Sequence, residues 1–255
     1  MENSILSPRE IRRYNKQIII PEIGTRGQEK LKKAKVLVIG AGGLGCPVLL
    51  YLTAAGVGTI GIAEFDLVDE SNLQRQLLYG SADVGKLKSI IAKDRLGHLN
   101  PLVNLEIFNL RVDSSNSLRI LQNFDIIVDA TDNLSARYII NDACVNVNKP
   151  MVHGAIYKYE GAISVFNFQG GATYRCYNPE IKEADYKNPI PSEVGLFGVL
   201  PGIIGTYMAN EVIKIITGNG EILSGKVLLI NILNNTFNTI AVENLPENHN
   251  ITEIK

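Results

Sequence analysis

The stretch Lys35-Val-Leu-Val-Ile-Gly-Ala-Gly-Gly-Leu-Gly-Cys46 decides how this 255-residue chain folds. A short β-branched run empties into Gly40-x-Gly42-x-x-Gly45 and then into an apolar pattern of helical period. It therefore reads as a strand, a phosphate loop and a helix N-terminus. Gly40 permits the tight turn, Gly42 and its neighbour Gly43 let the backbone approach a phosphate, and Gly45 lets the helix lie close against the strand. Unpaired N–H groups and the helix dipole then favour negative charge at that point. The next apolar run, Thr59-Ile-Gly-Ile-Ala-Glu64, ends in an acid where nucleotide-binding folds hold a ribose hydroxyl. A plain structural glycine turn is the competing reading, and the ordered succession of strand, loop, helix and acid favours a nucleotide.

Outward from this core, strands are expected at 35–39, 59–64, 104–109 and 125–129. Helices at 44–55, near 86–98, at 115–122 and at 133–147 alternate with them. That alternation defines an α/β fold, a doubly wound Rossmann-like, mostly parallel sheet. Ser7-Pro8-Arg9-Glu10 is a capping box opening a short helix to about Lys16, and a second short helix covers 26–33. After residue 150 the rhythm changes. Runs at 151–156, 161–168, 226–232 and 236–242 read as strands, several close enough in sequence to be antiparallel. A long helix at 201–217 lies among them, so the sheet is expected to be extended rather than followed by a separate second domain. From Asn178 to Glu193 the chain is polar and rich in proline, the pattern of a functional or mobile loop.

Composition narrows the class. A hydrophobic content of 45% supports a substantial core, and a net charge of -1 gives no basic field, so neither nucleic acid nor an anionic membrane is the expected partner. Residues 36–63 carry no charge, but seven glycines and Pro47 break that run into strand, loop, helix and strand rather than a membrane span. The first residues lack a basic segment followed by an apolar one, which predicts a cytoplasmic protein. Cys46, Cys144 and Cys176 are odd in number and far apart, so no disulfide framework is expected, and one chain cannot supply four thiolates to zinc.

Two polar clusters carry the candidate chemistry. The first is Glu64-Phe-Asp66-Leu-Val-Asp-Glu-Ser-Asn72-Leu-Gln74-Arg75-Gln76, followed by Lys88 on the next helix. Asn72, Gln74, Gln76, Arg75 and Lys88 would meet a triphosphate leaving the glycine loop, whereas a dinucleotide needs less charge. A solvated loop with salt bridges to Asp66 or Asp69 competes evenly with that reading. The second is Asp129-Ala-Thr-Asp132-Asn133 at the end of a buried strand, where open α/β sheets place ligands. Asp132 suits a magnesium ion bridging phosphates, and is also placed to cap the following helix. His98, His153 and His249 have no metal-ligand spacing and are read as structural.

Together with Arg13-Tyr14-Asn15-Lys16-Gln17-Ile18-Ile19, Ser71-Asn72-Leu73-Gln74-Arg75-Gln76 and Gly198-Val-Leu-Pro-Gly-Ile-Ile-Gly205, these segments make the whole chain resemble the MoeB/ThiF/HesA family, bacterial relatives of the ubiquitin-activating enzymes. The resemblance implies one ThiF-type adenylation domain over 1–255, with N-terminal helices to 34, a nucleotide-binding half over 35–150 and a carrier-docking extension over 151–255. It also implies ATP-dependent adenylation of the C-terminal glycine of a small β-grasp sulfur carrier ending in Gly-Gly, from the molybdopterin or thiazole pathway, by a homodimer using Mg²⁺. On that likeness Glu64, with Asp66 beside it, belongs to the ribose end. Asn72, Arg75, Gln76 and Lys88 belong to the phosphates, Asp132 with Asn133 to the magnesium or reacting centre, and Lys16 to the γ-phosphate of the neighbouring subunit. The carrier tail would run under 178–193 toward Asp132.

The chain departs from the family where Glu64 replaces aspartate and Lys16 replaces arginine. Zinc is not expected, because Thr173-Tyr-Arg-Cys176 holds one cysteine and residues 243–255 hold none. Pro191-Ser-Glu-Val-Gly195 lacks the cysteine of a thioester or persulfide. The alternatives are an activator of another peptide or a tRNA base, an NAD-dependent oxidoreductase, and a docking module without turnover.

Overall fold

The computed structural model describes residues 4–179 and 195–254. Two helices, α1 (Pro8–Ile18) and α2 (Gly24–Lys33), precede β1 (Lys35–Ile39), α3 (Gly45–Ala55), β2 (Thr59–Ala63), α4 (Lys88–Leu99), β3 (Asn104–Phe108), α5 (Ser117–Leu121), β4 (Ile126–Asp129) and α6 (Leu134–Asn146). The chain continues through β5 (Met151–Tyr157), β6 (Glu160–Phe166), the single turn α7 (Tyr174–Tyr177), α8 (Leu200–Thr217), β7 (Lys226–Asn231) and β8 (Thr236–Ala241). The α/β expectation holds: one eight-stranded sheet has the order β3-β2-β1-β4-β5-β6-β7-β8. Strands β3 to β5 are parallel, and β6, β7 and β8 each run antiparallel to the strand before. The change of direction falls at β5, which is parallel to β4 on one side and antiparallel to β6 on the other.

Burial explains the composition of each half. Strands β1, β2 and β4 are covered on both faces, which is why they read as unbroken Val/Ile/Leu runs. Helices α3 and α8 cross closely on one face. A Cβ on Gly205 would lie 2.4 Å from Pro47 Cγ, so the glycine of the Gly198–Gly205 segment is there for helix contact. The Ser7–Glu10 capping box forms as expected, with Ser7 Oγ accepting from the Glu10 amide and the Glu10 carboxylate accepting from the Ser7 amide at 2.7 Å. Tyr14, Gln17 and Gln28 tie these first helices to the C-terminal end of α3: both glutamines donate to the Ala55 carbonyl and Tyr14 lies against Gly56. Among the described residues no helix is long and apolar enough to cross a membrane.

Candidate functional site

At the C-terminal edge of β1 the chain turns at Gly40 (φ +95°), where a side chain would strike the Ala130 carbonyl at 2.7 Å. A Cβ on Gly45 would sit 2.0 Å from the Gly40 carbonyl, so only glycine lets α3 start this close to the strand. Helix α3 has no side-chain cap, and the Gly43 and Leu44 amides have no backbone acceptor among the described residues. Pro47 falls in the first turn, where a missing N–H costs nothing. The loop therefore presents donors and the positive end of a dipole, the arrangement that takes a phosphate.

Glu64 has a second task that its position after β2 did not reveal. Its Oε2 accepts from the Ala41 amide at 2.9 Å and its Oε1 from the Phe65 and Asp66 amides at 2.8 and 2.9 Å. The longer glutamate thus reaches back and fixes the glycine loop, leaving limited acceptor capacity for a hydroxyl. Tyr79 closes the same loop from below through its hydroxyl, which donates to the Ala41 carbonyl at 2.8 Å. Cys46 is buried beneath it, and burial pushes its thiol up to about 12.

The 70–76 segment lies over the loop. A Cβ on Gly42 would be 3.6 Å from Gln76 Nε2, one on Gly43 3.5 Å from Arg75 Cδ, and one on Gly198 2.5 Å from Gln74 Oε1. Gln76 is buried with its Oε1 unpartnered. Arg75 donates to the Ser71 carbonyl at 3.1 Å and makes no ion pair among the described residues. Lys88 is buried and pairs with the exposed Asp66 carboxylate at 3.3 Å, so the salt-bridge reading holds for Lys88 and not for Arg75. Asn72 accepts from the Arg75 and Gln76 amides through its backbone, which shapes the segment.

The second cluster closes the site from β4. Asn133, not Asp132, caps α6, its side chain accepting from the Ala136 amide at 2.9 Å. Asp132 is left exposed with no bond to a described residue. Asp129 is fully buried: Oδ1 accepts from Thr131 Oγ1 at 2.6 Å and Oδ2 meets His153 Nδ1 at 2.7 Å. Burial alone would raise the Asp129 carboxyl, yet His153, Arg137 and Thr131 together hold it below the ordinary carboxylate value. Lys16 is exposed, and its neighbours Tyr14 and Gln17 touch the far end of α3. At about 1.5 Å per residue that helix separates Lys16 from its own glycine loop by about 16 Å.

Cys176 differs from a simple apolar thiol. It is half-buried and accepts from the Thr173 amide (3.4 Å), the Leu245 amide (3.5 Å) and Asn248 Nδ2 (3.6 Å). Burial would raise this thiol, but the Thr173 hydroxyl at 3.4 Å together with those bonds outweighs it and holds it below the usual value. Thr173, Cys176, Leu245 and Asn248 thus meet as a hydrogen-bonded cluster that ties the C-terminal segment to α7. Glu180 onward to Val194, including Pro191-Ser-Glu-Val and most of the 178–193 segment, lies outside the described residues.

A glycine loop with free amides, a cationic segment above it and an acidic turn beside it thus gather at the C-terminal edge of a parallel sheet. Residues 14–250 match the ThiF family, and the chain belongs to it. It is 46% identical over 244 residues to a sulfur carrier protein adenylyltransferase of Thermus thermophilus, covering 93% of this chain and 89% of that protein. It is 46% identical over 233 residues to a probable molybdopterin-synthase adenylyltransferase of Porphyra purpurea, covering 91% of this chain and 61% of that protein. The chain also spans 65% of the length of a probable adenylyltransferase/sulfurtransferase MoeZ of Mycobacterium tuberculosis, again at 46% identity and with 98% of this chain matched. Among solved structures it resembles E. coli MccB crystallised with AMPCPP and MccA, at 25% identity and a TM-score of 0.77 over 87% of this chain and 67% of that one.

Proposed function

We propose that this chain is a cytoplasmic, ATP-dependent adenylyltransferase that activates the C-terminal glycine of a small β-grasp sulfur carrier ending in Gly-Gly. The observation that carries the reading is the meeting of the unpaired loop amides of Gly43 and Leu44, the Arg75 guanidinium, which has no ion pair among the described residues, and the exposed carboxylate of Asp132 on one edge of the sheet. The names of the most similar relatives support it.

In this reading a carrier carboxylate oxygen attacks the α-phosphorus, a P–O bond forms, the bond to the bridging oxygen breaks and pyrophosphate leaves. The reaction needs charge neutralisation and alignment, not a protein nucleophile. The glycine loop holds phosphate on its amides and Glu64 keeps that loop in shape, accepting at most one further donor from the ribose. Arg75, Lys88, Asn72 and Gln76 neutralise and orient the leaving phosphates. Asp132, with Asn133 beside it, fits a divalent ion that takes one carboxylate and phosphate oxygens, and magnesium so held would offset charge as pyrophosphate departs. Lys16, remote from its own loop, serves the partner's γ-phosphate in a homodimer. The test is pyrophosphate exchange dependent on a Gly-Gly-terminated carrier. Exchange that ignores the carrier, or tight binding of a nicotinamide dinucleotide in place of ATP, would refute the assignment.

A further inference from the structure

Asp132 works only if its turn is held still, and the turn has an anchor on the neighbouring strand. We propose that His153 is a positioning residue that fixes the Ala130–Asn133 turn through Asp129. The inference rests on the adenylyltransferase reading for its kinetic consequence, but not for its geometry.

Parallel register places Asp129, the last residue of β4, beside His153, the third residue of β5. His153 is 1% exposed, between Tyr174 at 4.9 Å and Phe166 at 5.8 Å, so its ring has little freedom to move. Burial outweighs the adjacent carboxylate and holds the imidazole below its ordinary value, so the neutral ring donates from Nδ1 to Asp129. The other Asp129 oxygen accepts from both the Thr131 amide (3.1 Å) and its hydroxyl (2.6 Å). From the opposite side Arg137 Nη2 donates to the Thr131 carbonyl at 3.3 Å, and the Ala130 amide donates to the Ile39 carbonyl at 2.9 Å. The Ala130 carbonyl lies against Gly40, so one turn is clamped between the glycine loop and the histidine. If His153 is removed, Asp129 becomes a buried carboxylate without its strongest donor. It must then take up a proton, which makes it a weaker acceptor for Thr131, or turn away from Thr131 toward water, and either loosens the turn that carries Asp132.

The experiment compares His153→Ala, His153→Asn, whose amide nitrogen can stand where Nδ1 stands, and Val165→Ala as a packing control on β6. Two readouts are taken on each full-length protein. Hydrogen exchange at the Thr131 amide should quicken at least about tenfold in His153→Ala, with β1 amides unchanged, and should return toward wild type in His153→Asn. In carrier-dependent exchange, His153→Ala should lower kcat about tenfold to a hundredfold while the KM for ATP stays within about twofold, because an ångström-scale displacement of the reacting centre costs that much. Unchanged Thr131 exchange overturns the proposal whatever the enzyme does. So does a kcat loss shared equally with Val165→Ala or not relieved by His153→Asn. A wild-type protein without carrier-dependent exchange sinks the adenylyltransferase reading alone, and the amide measurement still decides the anchor.

Discussion

The two ends of the sheet are built under opposite rules. From β3 to β5 the strands are parallel, and β1, β2 and β4 are buried along almost their whole length. At the other end β7 is half-covered and every residue of β8 is exposed, Phe237 and Ile240 among them. Where both faces are covered, each turn at the strand ends is fixed by several neighbours at once, so small changes propagate into the site. Where one edge is open, side chains answer to few neighbours. Chemistry thus resides where the backbone is over-determined, and the open edge is free to vary toward a partner.

The sharpest way to break this comparison is Gly45→Ala set against Phe237→Thr. The added methyl at Gly45 would enter the Gly40 carbonyl, which neither backbone can evade without separating α3 from β1. We expect a loss of at least about 4 kcal/mol, seen as a Tm lower by about 10 °C or more, together with loss of ATP binding. The Phe237 change should move Tm by no more than about 2 °C. Similar losses for the two variants would abolish the distinction between the halves.

Within the parallel end, charges that touch substrate should matter far more than thiols. Asp132→Ala should abolish carrier-dependent exchange, and Arg75→Ala and Lys88→Ala should each reduce it about a hundredfold with the fold intact. A folded variant with Cys46, Cys144 and Cys176 all replaced should stay active, and elemental analysis of the wild type should find no stoichiometric zinc. Near-normal turnover in both cation variants would reduce Arg75 and Lys88 to their structural bonds with the Ser71 carbonyl and the Asp66 carboxylate. An inactive but folded triple-cysteine variant would require a covalent step.

The fold was legible because parallel strands buried on both faces leave a simple trace, apolar runs cut by glycine and followed by helical period. The change of direction after residue 150 was visible as shorter spacing between runs. What could not be read was what each polar residue does once the strand ends meet. Glu64 reads as a ribose acid because it directly follows β2, yet its bonds to Ala41, Phe65 and Asp66 depend on how the glycine loop curls back. Spacing points to Asp132 as the cap of the following helix, and the backbone instead gives that task to Asn133 one residue later. His153 has no metal-ligand spacing and so reads as structural; its bond to Asp129 spans 24 residues between adjacent strands, and register between parallel strands has no local sequence signature.

A smaller effect tests whether the site is completed from outside its own chain. Lys16→Ala and Asp132→Ala should each be inactive alone. If Lys16 acts in trans, mixing and re-equilibrating the two should restore up to about a quarter of wild-type activity, since half the dimers are mixed and each then owns one intact site. No recovery, with exchange of subunits verified by mass, would place Lys16 in its own site or outside catalysis.

The smallest expected effect lies at the closed end of the parallel half, where α1 braces α3. Burial would raise the Glu10 carboxyl, but hydrogen bonds from Lys32 and from the Ser7 amide outweigh it and hold Glu10 below its ordinary value of 4.5. A carboxyl depressed in the folded state stabilises the protein above the unfolded value, and that contribution is lost as pH falls through the folded one. Glu10→Gln keeps the shape of the capping box while removing the charge. It should cost about 1 kcal/mol near neutral pH, a Tm shift of about 2–4 °C, and the gap to wild type should close below pH 4.5. A gap that persists unchanged into acid would mean that the amide's altered bonding, not the lost charge, accounts for the difference, and that this end of the molecule is braced by packing alone.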